Sequence, residues 1–332
     1  MPPLPPEDRL APDCTEVDAI VVGGGPAGLA AALWLARYRR SVLVIDSQAY
    51  RSGMVEHSHG YLGRDPQRPI ELIERGRDEL LAYPSAAYRA ARVSAVEQRN
   101  DGRFLVTVDK GGDVLGHRLV LATGVSDAKP TIEGFDEHYG ASAFHCPACD
   151  GYESRDADVV ALGWEPHLVG FATTLLGWAR SVTVVTNGPR FEGDEVCRTL
   201  LSKHSVDLVE EDAVALVGSR GALRGVRLRS GRELPCSLLF FSLAHTPHVE
   251  LATSLGCELD DEGYVRVDET GKTSVTGVYA GGDVVPGLQL VQVATAQGTI
   301  AGVGAAQSMF GEDGAPSSPP PAPDVEAELP TD

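Results

Sequence analysis

The sequence predicts an α/β protein with two strand–turn–helix–strand units, the second of which is inserted in the domain that contains the first. The first unit spans residues 17–46 (VDAIVVGGGPAGLAAALWLARYRRSVLVID), and the second spans residues 158–188 (DVVALGWEPHLVGFATTLLGWARSVTVVTNG). In both, an apolar β-branched run leads into a turn, an apolar helix and a second strand. We therefore predict two Rossmann-like nucleotide-binding domains of the three-layer ββα class, in which two sheets and one layer of helices pack on each other.

The predicted domain limits follow from these units. The first domain comprises residues 15–125 and 244–311, and the inserted domain comprises residues 126–243. Residues 312–332 are rich in Pro, Ala and acidic side chains, and we predict a disordered tail there. Residues 1–14 have neither the basic start nor the apolar core of a secretory signal, and we predict a disordered arm there.

Composition narrows the range of partners. The 332 residues carry a formal net charge of −19, and such an acidic surface disfavours nucleic acids and anionic membranes as partners. No apolar run reaches the roughly 18 to 20 residues that a membrane span needs. The six cysteines are too few for a secreted disulfide scaffold, so we predict a protein of the reducing cytoplasm.

The first unit has the glycine spacing of a dinucleotide site. Gly23 permits a tight turn, Gly25 lets a pyrophosphate approach the backbone, and Gly28 lets the helix and strand pack closely. The free N–H groups and the dipole of the helix N-terminus favour the phosphates, and Asp46 ends the second strand where a carboxylate accepts hydrogen bonds from a ribose. The candidate binding residues here are Gly23, Gly25, Pro26, Ala27, Gly28 and Asp46.

Two distant segments favour FAD over NAD as the dinucleotide. Residues 119–124 (LVLATG) are predicted to be a strand running into a turn at Thr123 and Gly124. Residues 273–285 (TSVTGVYAGGDVV) are predicted to be a second strand and turn that contains Gly282 and Asp283. An acid after two glycines at a strand end suits a ribityl or sugar hydroxyl, because the glycines let the chain approach the pyrophosphate.

The segment FHCPACDGYE, residues 144–153, allows three interpretations of Cys146 and Cys149: a zinc site, inert core thiols or a redox disulfide. Zinc usually needs four ligands, and the sequence offers no second CxxC or HxxxH, so we predict no metal. We favour the redox disulfide, with Asp150 as the acid/base that thiol–disulfide exchange needs. The other four cysteines are isolated and are predicted to be buried as small apolar side chains.

The motifs GGGPAG, LATG, CPACDG and GVYAGGD, in this order, resemble those of the low-molecular-weight thioredoxin reductase family of FAD-containing disulfide oxidoreductases, over roughly residues 16–310. The resemblance implies that Cys149 exchanges electrons with the flavin and that Cys146 forms the mixed disulfide. It also implies that Asp283 holds the ribityl chain and that Gln292 and Val293 begin a helix facing the flavin ring. The expected partner is a thioredoxin-like protein or a small dithiol or disulfide, and we expect a homodimer.

The inserted unit departs from the pattern of relatives that use NADPH. Their turn carries GxGxxA or GxGxxG, whereas this chain has Gly163, then Glu165 in place of the second glycine, Pro166 next, and Leu168 at the third position. Glu165 brings bulk and negative charge to a phosphate site. We therefore predict loss of ordinary NADPH use, with a second flavin or another nucleotide left open as a ligand of this domain.

This departure favours the branch of the family with a degenerate NADPH site, which includes dithiol oxidases and ferredoxin-dependent or diflavin-linked relatives. The segment EHSHGYLGRDP, residues 56–66, resembles the dithiol oxidases more than the reductases. His57 and His59 are candidate bases near the flavin and the disulfide, or alternatively surface or packing residues.

The sequence thus predicts an FAD-dependent thiol–disulfide oxidoreductase that does not use NADPH in the ordinary way. Two alternatives stay open at this point. One is an NADPH-dependent thioredoxin reductase, and the other is a flavin-binding redox sensor without steady turnover.

Overall fold

A computed structural model describes residues 10–11, 13–188 and 190–310 of the protein. The predicted tail and residues 1–9 and 12 of the predicted arm lie outside the described residues. The prediction of disorder is wrong for the described end of the arm: the Leu10 N–H donates to the Pro84 carbonyl at 2.8 Å, and the Cys14 carbonyl accepts from Arg89 at 3.1 Å. Leu10 and Cys14 pack against the core of the first sheet.

The helices and strands are named here in chain order. The first half of the chain contains β1 (Glu16–Val22), α1 (Pro26–Arg37), β2 (Val42–Asp46), α2 (Pro69–Leu81), β3 (Ala86–Ala90), β4 (Val93–Gln98), β5 (Phe104–Val108), β6 (Val114–Leu121), β7 (Val125–Asp127), α3 (Phe135–His138), β8 (Ala143–Phe144), α4 (Pro147–Asp150) and a 3-10 helix (Tyr152–Ser154). The second half contains β9 (Asp158–Leu162), α5 (Leu168–Leu175), β10 (Ser181–Val185), α6 (Glu195–Lys203), β11 (Asp207–Val209), β12 (Ala213–Ser219), β13 (Ala222–Leu228), β14 (Glu233–Pro235), β15 (Leu238–Phe241), β16 (His245–Pro247), α7 (Glu250–Ser254), β17 (Val278–Ala280) and α8 (Val291–Gln307).

The described residues form two compact units. The first takes its residues from 1–50, 70–125 and 247–332, and the second takes them from 51–69 and 126–246. The break after residue 125 coincides with the predicted one, but the second unit also holds residues 51–69, which we expected in the first domain, and residues 244–246. Two contacts of Glu56 explain the placement of this 51–69 segment. Its backbone N–H donates to the Gly140 carbonyl at 3.1 Å, and its side-chain carboxylate accepts from Arg220 at 2.7 Å.

The first unit is built on a seven-stranded sheet with the strand order β3-β2-β1-β6-β5-β4, and β17 also pairs with β6. Strands β3, β2, β1, β6 and β17 are parallel, whereas β5 pairs antiparallel with β6, and β4 pairs antiparallel with β5. The chain leaves β1 through α1 to β2 on one side, and β6 lies on the other side of β1. The strand order therefore reverses at β1, where a crevice outside the carboxyl ends of parallel strands favours ligand binding.

Alternate residues of β1 bury opposite faces of this sheet. Ile20 packs in a cluster with Phe104 of β5, whereas Val21 packs in a cluster with Leu35 of α1 and Ala305 of α8. Both faces are thus covered, which explains why β1 is apolar nearly throughout instead of alternating with polar residues.

The second unit combines a five-stranded parallel sheet, in the order β11-β10-β9-β15-β8, with a three-stranded antiparallel sheet, β12-β13-β14. Val159 of β9 packs in a cluster with Leu168 of α5 and with α6, whereas Val160 faces the cluster that contains Val226 of β13. The parallel sheet thus lies between helices and a second sheet, and the predicted three-layer ββα class is confirmed. Among the described residues, no helix has the length and apolar character needed to span a membrane.

Candidate functional site

The GGGPAG turn joins β1 to α1 at the carboxyl edge of the first sheet. Gly25 is the N-cap residue of α1, and Pro26 occupies the first turn, where its missing N–H is no loss. A Cβ at Gly28 would collide with the Gly23 carbonyl oxygen, so only glycine lets the helix pass this close to the turn. Among the described side chains none caps α1, which leaves its first N–H groups for a ligand.

Asp46 ends β2 at the same edge and is buried. Its Oδ2 accepts hydrogen bonds from the Tyr50 and Tyr88 hydroxyls, each at 2.6 Å, and its Oδ1 accepts the Gln48 N–H at 3.1 Å. Burial, reinforced by these bonds to Asp46, raises the pKa of both tyrosines, which keeps them as donors. Because a carboxylate has about four acceptor positions, one position on Oδ1 remains for a ribose hydroxyl.

The LATG turn follows β6, the neighbour of β1. The Thr123 hydroxyl donates to the His248 carbonyl at 2.7 Å, and the His248 N–H donates to the Gly124 carbonyl at 2.9 Å. His248 Nδ1 also lies 2.9 Å from the Thr123 carbonyl oxygen. His248, which sequence reasoning missed, therefore locks the backbone of this turn.

The AGGD turn follows β17 and lies against the start of α1. Gly282 has a φ of +83°, and a Cβ there would lie 2.6 Å from the Ala27 Cβ, so the position requires glycine. Asp283 next to it is half-buried. Gln292 and Val293 lie in the first turn of α8, which has no side-chain cap among the described residues.

These segments fit a dinucleotide such as FAD. The glycine turn, the AGGD turn and the carboxylate of Asp46 all follow the carboxyl ends of parallel strands, and the α1 N-terminus is open to an anion. A Cβ at Gly25 would meet no described atom within 4 Å, so the backbone there is accessible to a phosphate.

In the second unit Cys146 and Cys149 form a disulfide at the start of the short helix α4. Cys146 is the N-cap residue, and its Sγ accepts the Cys149 N–H at 3.1 Å, which would stabilise a thiolate at Cys146 after reduction. No group of three or more His, Cys, Asp or Glu side chains suited to a metal ion occurs among the described residues.

Asp150 ends α4 and is 8% exposed. Its carboxyl group makes no hydrogen bond within the described part of the chain. Burial raises the pKa of Asp150 to about 7, with a further rise from the charge of Glu153 and an opposing effect of His59. A carboxyl group that titrates near neutral pH beside a disulfide suits proton transfer to and from thiols.

The two candidate histidines differ. His59 is held from both sides, with Nδ1 at 3.0 Å from the Asp65 carboxylate and Nε2 at 3.6 Å from that of Glu153. His57 is exposed, and its ring centroid lies 6.5 Å from that of His59. The structure thus brings His59 to Glu153 in the 3-10 helix that follows α4, a residue that sequence reasoning missed.

An ion pair lies near His145, the residue before Cys146. Arg51 forms a bidentate ion pair with Asp127, with distances of 2.6 and 2.8 Å. Burial opposes ionisation of Asp127, but the Arg51 hydrogen bonds and the charge of His145 hold the pKa of that carboxyl below its usual range. His145 Nε2 lies 3.9 Å from the Asp127 carboxylate, and its ring packs on Tyr139 and Phe241.

The turn after β9 contributes Glu165 and His167 to a trio of polar side chains, which Ser242 completes. His167 Nδ1 lies 3.3 Å from the Glu165 carboxylate, and His167 Nε2 lies 2.7 Å from the Ser242 hydroxyl at the end of β15. Helix α5 begins only at Leu168, whose N–H donates to the Glu165 carbonyl at 3.0 Å. Pro166 lies in this turn, and Leu168 is buried.

The three residues that follow β10, Thr186, Asn187 and Gly188, offer no positively charged side chain to a nucleotide phosphate. Asn187 has a φ of +57°, and its side-chain oxygen accepts the Ala213 N–H at 3.1 Å. Thr186 is fully buried, and its hydroxyl has no partner among the described residues. Asp212, which contacts Gly188, pairs with Arg229.

The four remaining cysteines are unpaired thiols. Cys236 and Cys257 are buried as predicted, whereas Cys14 and Cys197 are half-buried. Burial raises the pKa of Cys236 to about 12 and also raises that of Cys257, so neither thiol is suited to exchange.

Comparison with known proteins matches this architecture. The model of the family described as pyridine nucleotide-disulphide oxidoreductase matches residues 17–298. The chain belongs to this family. It is a flavin-dependent disulfide oxidoreductase of the thioredoxin reductase-like type, as predicted.

Three relatives support this assignment. "Thioredoxin reductase sirT" of Leptosphaeria maculans is 31% identical, with coverage of 89% of this chain and 95% of the relative. A thioredoxin reductase of Gibberella zeae is 32% identical, with coverage of 88% and 98%. The crystal structure of HlmI matches with a TM-score of 0.83 and 36% identity, covering 88% of this chain and 92% of that one.

Proposed function

We propose that the protein is an FAD-dependent thiol–disulfide oxidoreductase that exchanges electrons between FAD, the Cys146–Cys149 pair and an external dithiol or disulfide, without ordinary NADPH use. The Glu165–His167–Ser242 trio carries the second half of the proposal. These side chains link the ends of β9 and β15, where the phosphates of a nucleotide bind in a sheet of this kind.

The first unit would hold FAD through its strand ends. Asp46 would bind the ribose, Asp283 would bind the ribityl chain, and the α1 N-terminus would bind the pyrophosphate. FAD supplies a two-electron carrier for the disulfide. The proposed cofactor-binding residues are Gly23, Gly25, Pro26, Ala27, Gly28, Asp46, Thr123, Gly124, Gly282, Asp283, Gln292 and Val293.

An external dithiol would react at the disulfide in two steps. One substrate thiolate attacks Cys146 Sγ, the Cys146–Cys149 bond breaks, and Cys149 leaves as a thiolate. The second substrate thiolate then attacks the substrate sulfur of this mixed disulfide, which releases the substrate disulfide and a Cys146 thiolate. Asp150 would take a proton from the substrate in one step and return it to a leaving thiolate in the other.

Electrostatics in the second unit disfavours NADPH. A phosphate about 4 Å from the Glu165 carboxylate would be repelled by about 1 kcal/mol in water and about 4 kcal/mol at an effective dielectric of 20. Glu165 is half-exposed, and solvent screening therefore brings the repulsion energy towards the lower value.

A second flavin or another nucleotide in an altered pose stays open as a ligand of the second unit. The ratio of flavin to protein tests this, and a value near two supports a second site.

A dithionite titration tests the electron path. The oxidised protein should take up about four electrons per FAD, two for the flavin and two for the disulfide, and Cys149→Ser should take up about two. Equal uptake by both proteins would show that the cysteine pair is not a redox partner of the flavin.

Anaerobic stopped-flow absorbance tests the electron donor. A small dithiol should bleach the flavin, whereas NADPH should do so very slowly or not at all. Bleaching by NADPH within about a second, in the range of ordinary enzyme turnover, would overturn this half of the proposal.

NADPH-dependent thioredoxin reductase is the second candidate, because the two relatives described above are named thioredoxin reductases. It shares the dithiol chemistry and a thioredoxin-like partner, so the stopped-flow experiment separates the two candidates. Homodimer formation and a cytoplasmic location stay predictions, and sedimentation of the purified protein tests the first.

A further inference from the structure

The 51–69 segment brings the imidazole of His59 to the 3-10 helix that follows α4 and the disulfide. His59 Nε2 lies 3.6 Å from the Glu153 carboxylate, and Nδ1 lies 3.0 Å from that of Asp65. Asp65 also accepts the Gly60 N–H at 3.1 Å, which closes the loop on which His59 stands. The contact between Glu56 and Gly140 fixes the start of the segment to the second unit.

Glu153 shares a helical face with Asp150. Helix α4 runs through Gly151, which has helical backbone angles, into the 3-10 helix that carries Glu153. Residues three apart on such a run lie on the same side. Glu153 thus contacts the ring of His59 and lies three residues after Asp150 on the same helical run.

We propose that Glu153 and His59 are positioning residues that set, in opposite directions, how readily Asp150 gives up its proton during thiol–disulfide exchange. This inference rests on the proposed acid/base role of Asp150. Glu153 holds the proton on Asp150, because a second negative charge nearby disfavours the carboxylate. His59, when protonated, favours the carboxylate, and its contact with Asp65 keeps the ring in place.

Tyr139 also interacts electrostatically with Asp150. Burial raises the pKa of Tyr139 to about 12, the charges of Asp127 and Asp150 contribute to the rise, and Arg51 opposes them. Tyr139 therefore stays neutral through the pH range in which Asp150 titrates. The charges that change the state of Asp150 are then those of Glu153 and His59, in agreement with the effects of both on its pKa.

The test follows the rate of flavin reduction by dithiothreitol in the holoenzyme from about pH 5 to about pH 9, under nitrogen. Each rate is divided by the fraction of dithiothreitol present as thiolate at that pH, which removes the titration of dithiothreitol itself from every profile. Asp150→Asn should remove one inflection from the wild-type profile. Glu153→Gln should move that inflection down by about half a pH unit, and His59→Gln should move it up by a similar amount.

Two further variants separate charge from structural damage. His59→Lys keeps a positive charge at every pH and should move the inflection below its wild-type position. Glu56→Gln removes an acid from the same segment, away from Asp150, and should leave the inflection where it was. Because the Glu153 and His59 side chains are 35% and 27% exposed, about 1 M salt should reduce both shifts.

The outcomes distinguish two failures. An inflection that persists in Asp150→Asn, or a wild-type profile without one, would disprove the role of Asp150 itself. The positioning role alone would be overturned if Asp150→Asn removes the inflection but Glu153→Gln and His59→Gln leave it in place. It would also be overturned if both of these variants move the inflection in the same direction.

Discussion

Replacing Asp150 by Asn should stabilise the folded protein at alkaline pH while impairing its chemistry. The carboxyl group is 8% exposed, and burial raises its pKa from 3.8 to about 7. An unfolded chain has no such burial, so the folded state binds the proton more tightly than the unfolded state does. Asn has nearly the same shape and carries no charge at any pH.

The sign of the effect follows from linkage. Because the folded-state pKa is the higher one, the stability that the proton confers is fully present below about pH 4 and is lost as the pH rises through about 7. The difference of about 3 pKa units corresponds to about 4 kcal/mol at about pH 8. Asp150→Asn and the wild type should therefore be about equally stable near pH 4, and the variant should gain up to that amount near pH 8.

Urea unfolding of the oxidised, FAD-saturated proteins at both pH values measures the gain. Dithiol turnover measured beside it should fall by roughly 10²–10⁴-fold, the usual contribution of a general acid/base. Asp127→Asn is the matched control with the opposite sign, since Arg51 holds the pKa of that carboxyl below its usual range. A variant that gains no stability near pH 8 would show that Asp150 is not a strained, buried carboxyl group.

The remaining predictions concern both units. Asp127→Asn removes the carboxylate of the bidentate ion pair with Arg51 and should cost about 3 kcal/mol near pH 8, measured by urea unfolding, with the loss shrinking as the pH falls through the lowered pKa of Asp127. Asp46→Asn should weaken FAD binding about 10-fold to 100-fold in a fluorescence titration, because one charge-assisted acceptor is lost. Asp268→Asn, which removes a negative charge from a loop of the same unit, should leave the FAD affinity unchanged. Gly25→Glu should give a folded but colourless protein, and full flavin occupancy in it would disprove the FAD site.

The sequence patterns of apolar residues and glycines predicted the fold well because each pattern lies within a single βαβ unit. The run of residues 17–46 gives β1, α1 and β2 with the expected glycine turn, and the run of residues 158–188 gives β9, α5 and β10. In both units the alternate burial of strand residues and the apolar helix faces are properties of neighbouring residues. The order of the motifs then fixed the insertion of one unit in the other.

The acid/base surroundings of the disulfide escaped prediction because they depend on pairs far apart in the chain. His59 meets Glu153, and Arg51 meets Asp127, only after the 51–69 segment has joined the second unit. Neither pair leaves a periodic signal, and a polar segment between two elements of the first unit is by default assigned to that unit. The histidines at 57 and 59 were the one available sign that this segment has a role.

The two units share a βαβ outline but differ in where their helix N–H groups go, and this difference supports the proposed loss of ordinary NADPH use. In the first unit α1 begins directly after the glycine turn, so its first N–H groups have no partner within the helix. In the second unit the turn is prolonged through Pro166, and the N–H groups of Leu168 and Val169 donate to the carbonyls of Glu165 and Pro166 at 3.0 and 3.2 Å. Donors that would meet a phosphate are thus used within the chain, and the Glu165 carboxylate stands beside them. Since the core of this unit needs only its sheet and helices, the fold can persist after such a site is lost, and electrons would then enter from a dithiol at Cys146.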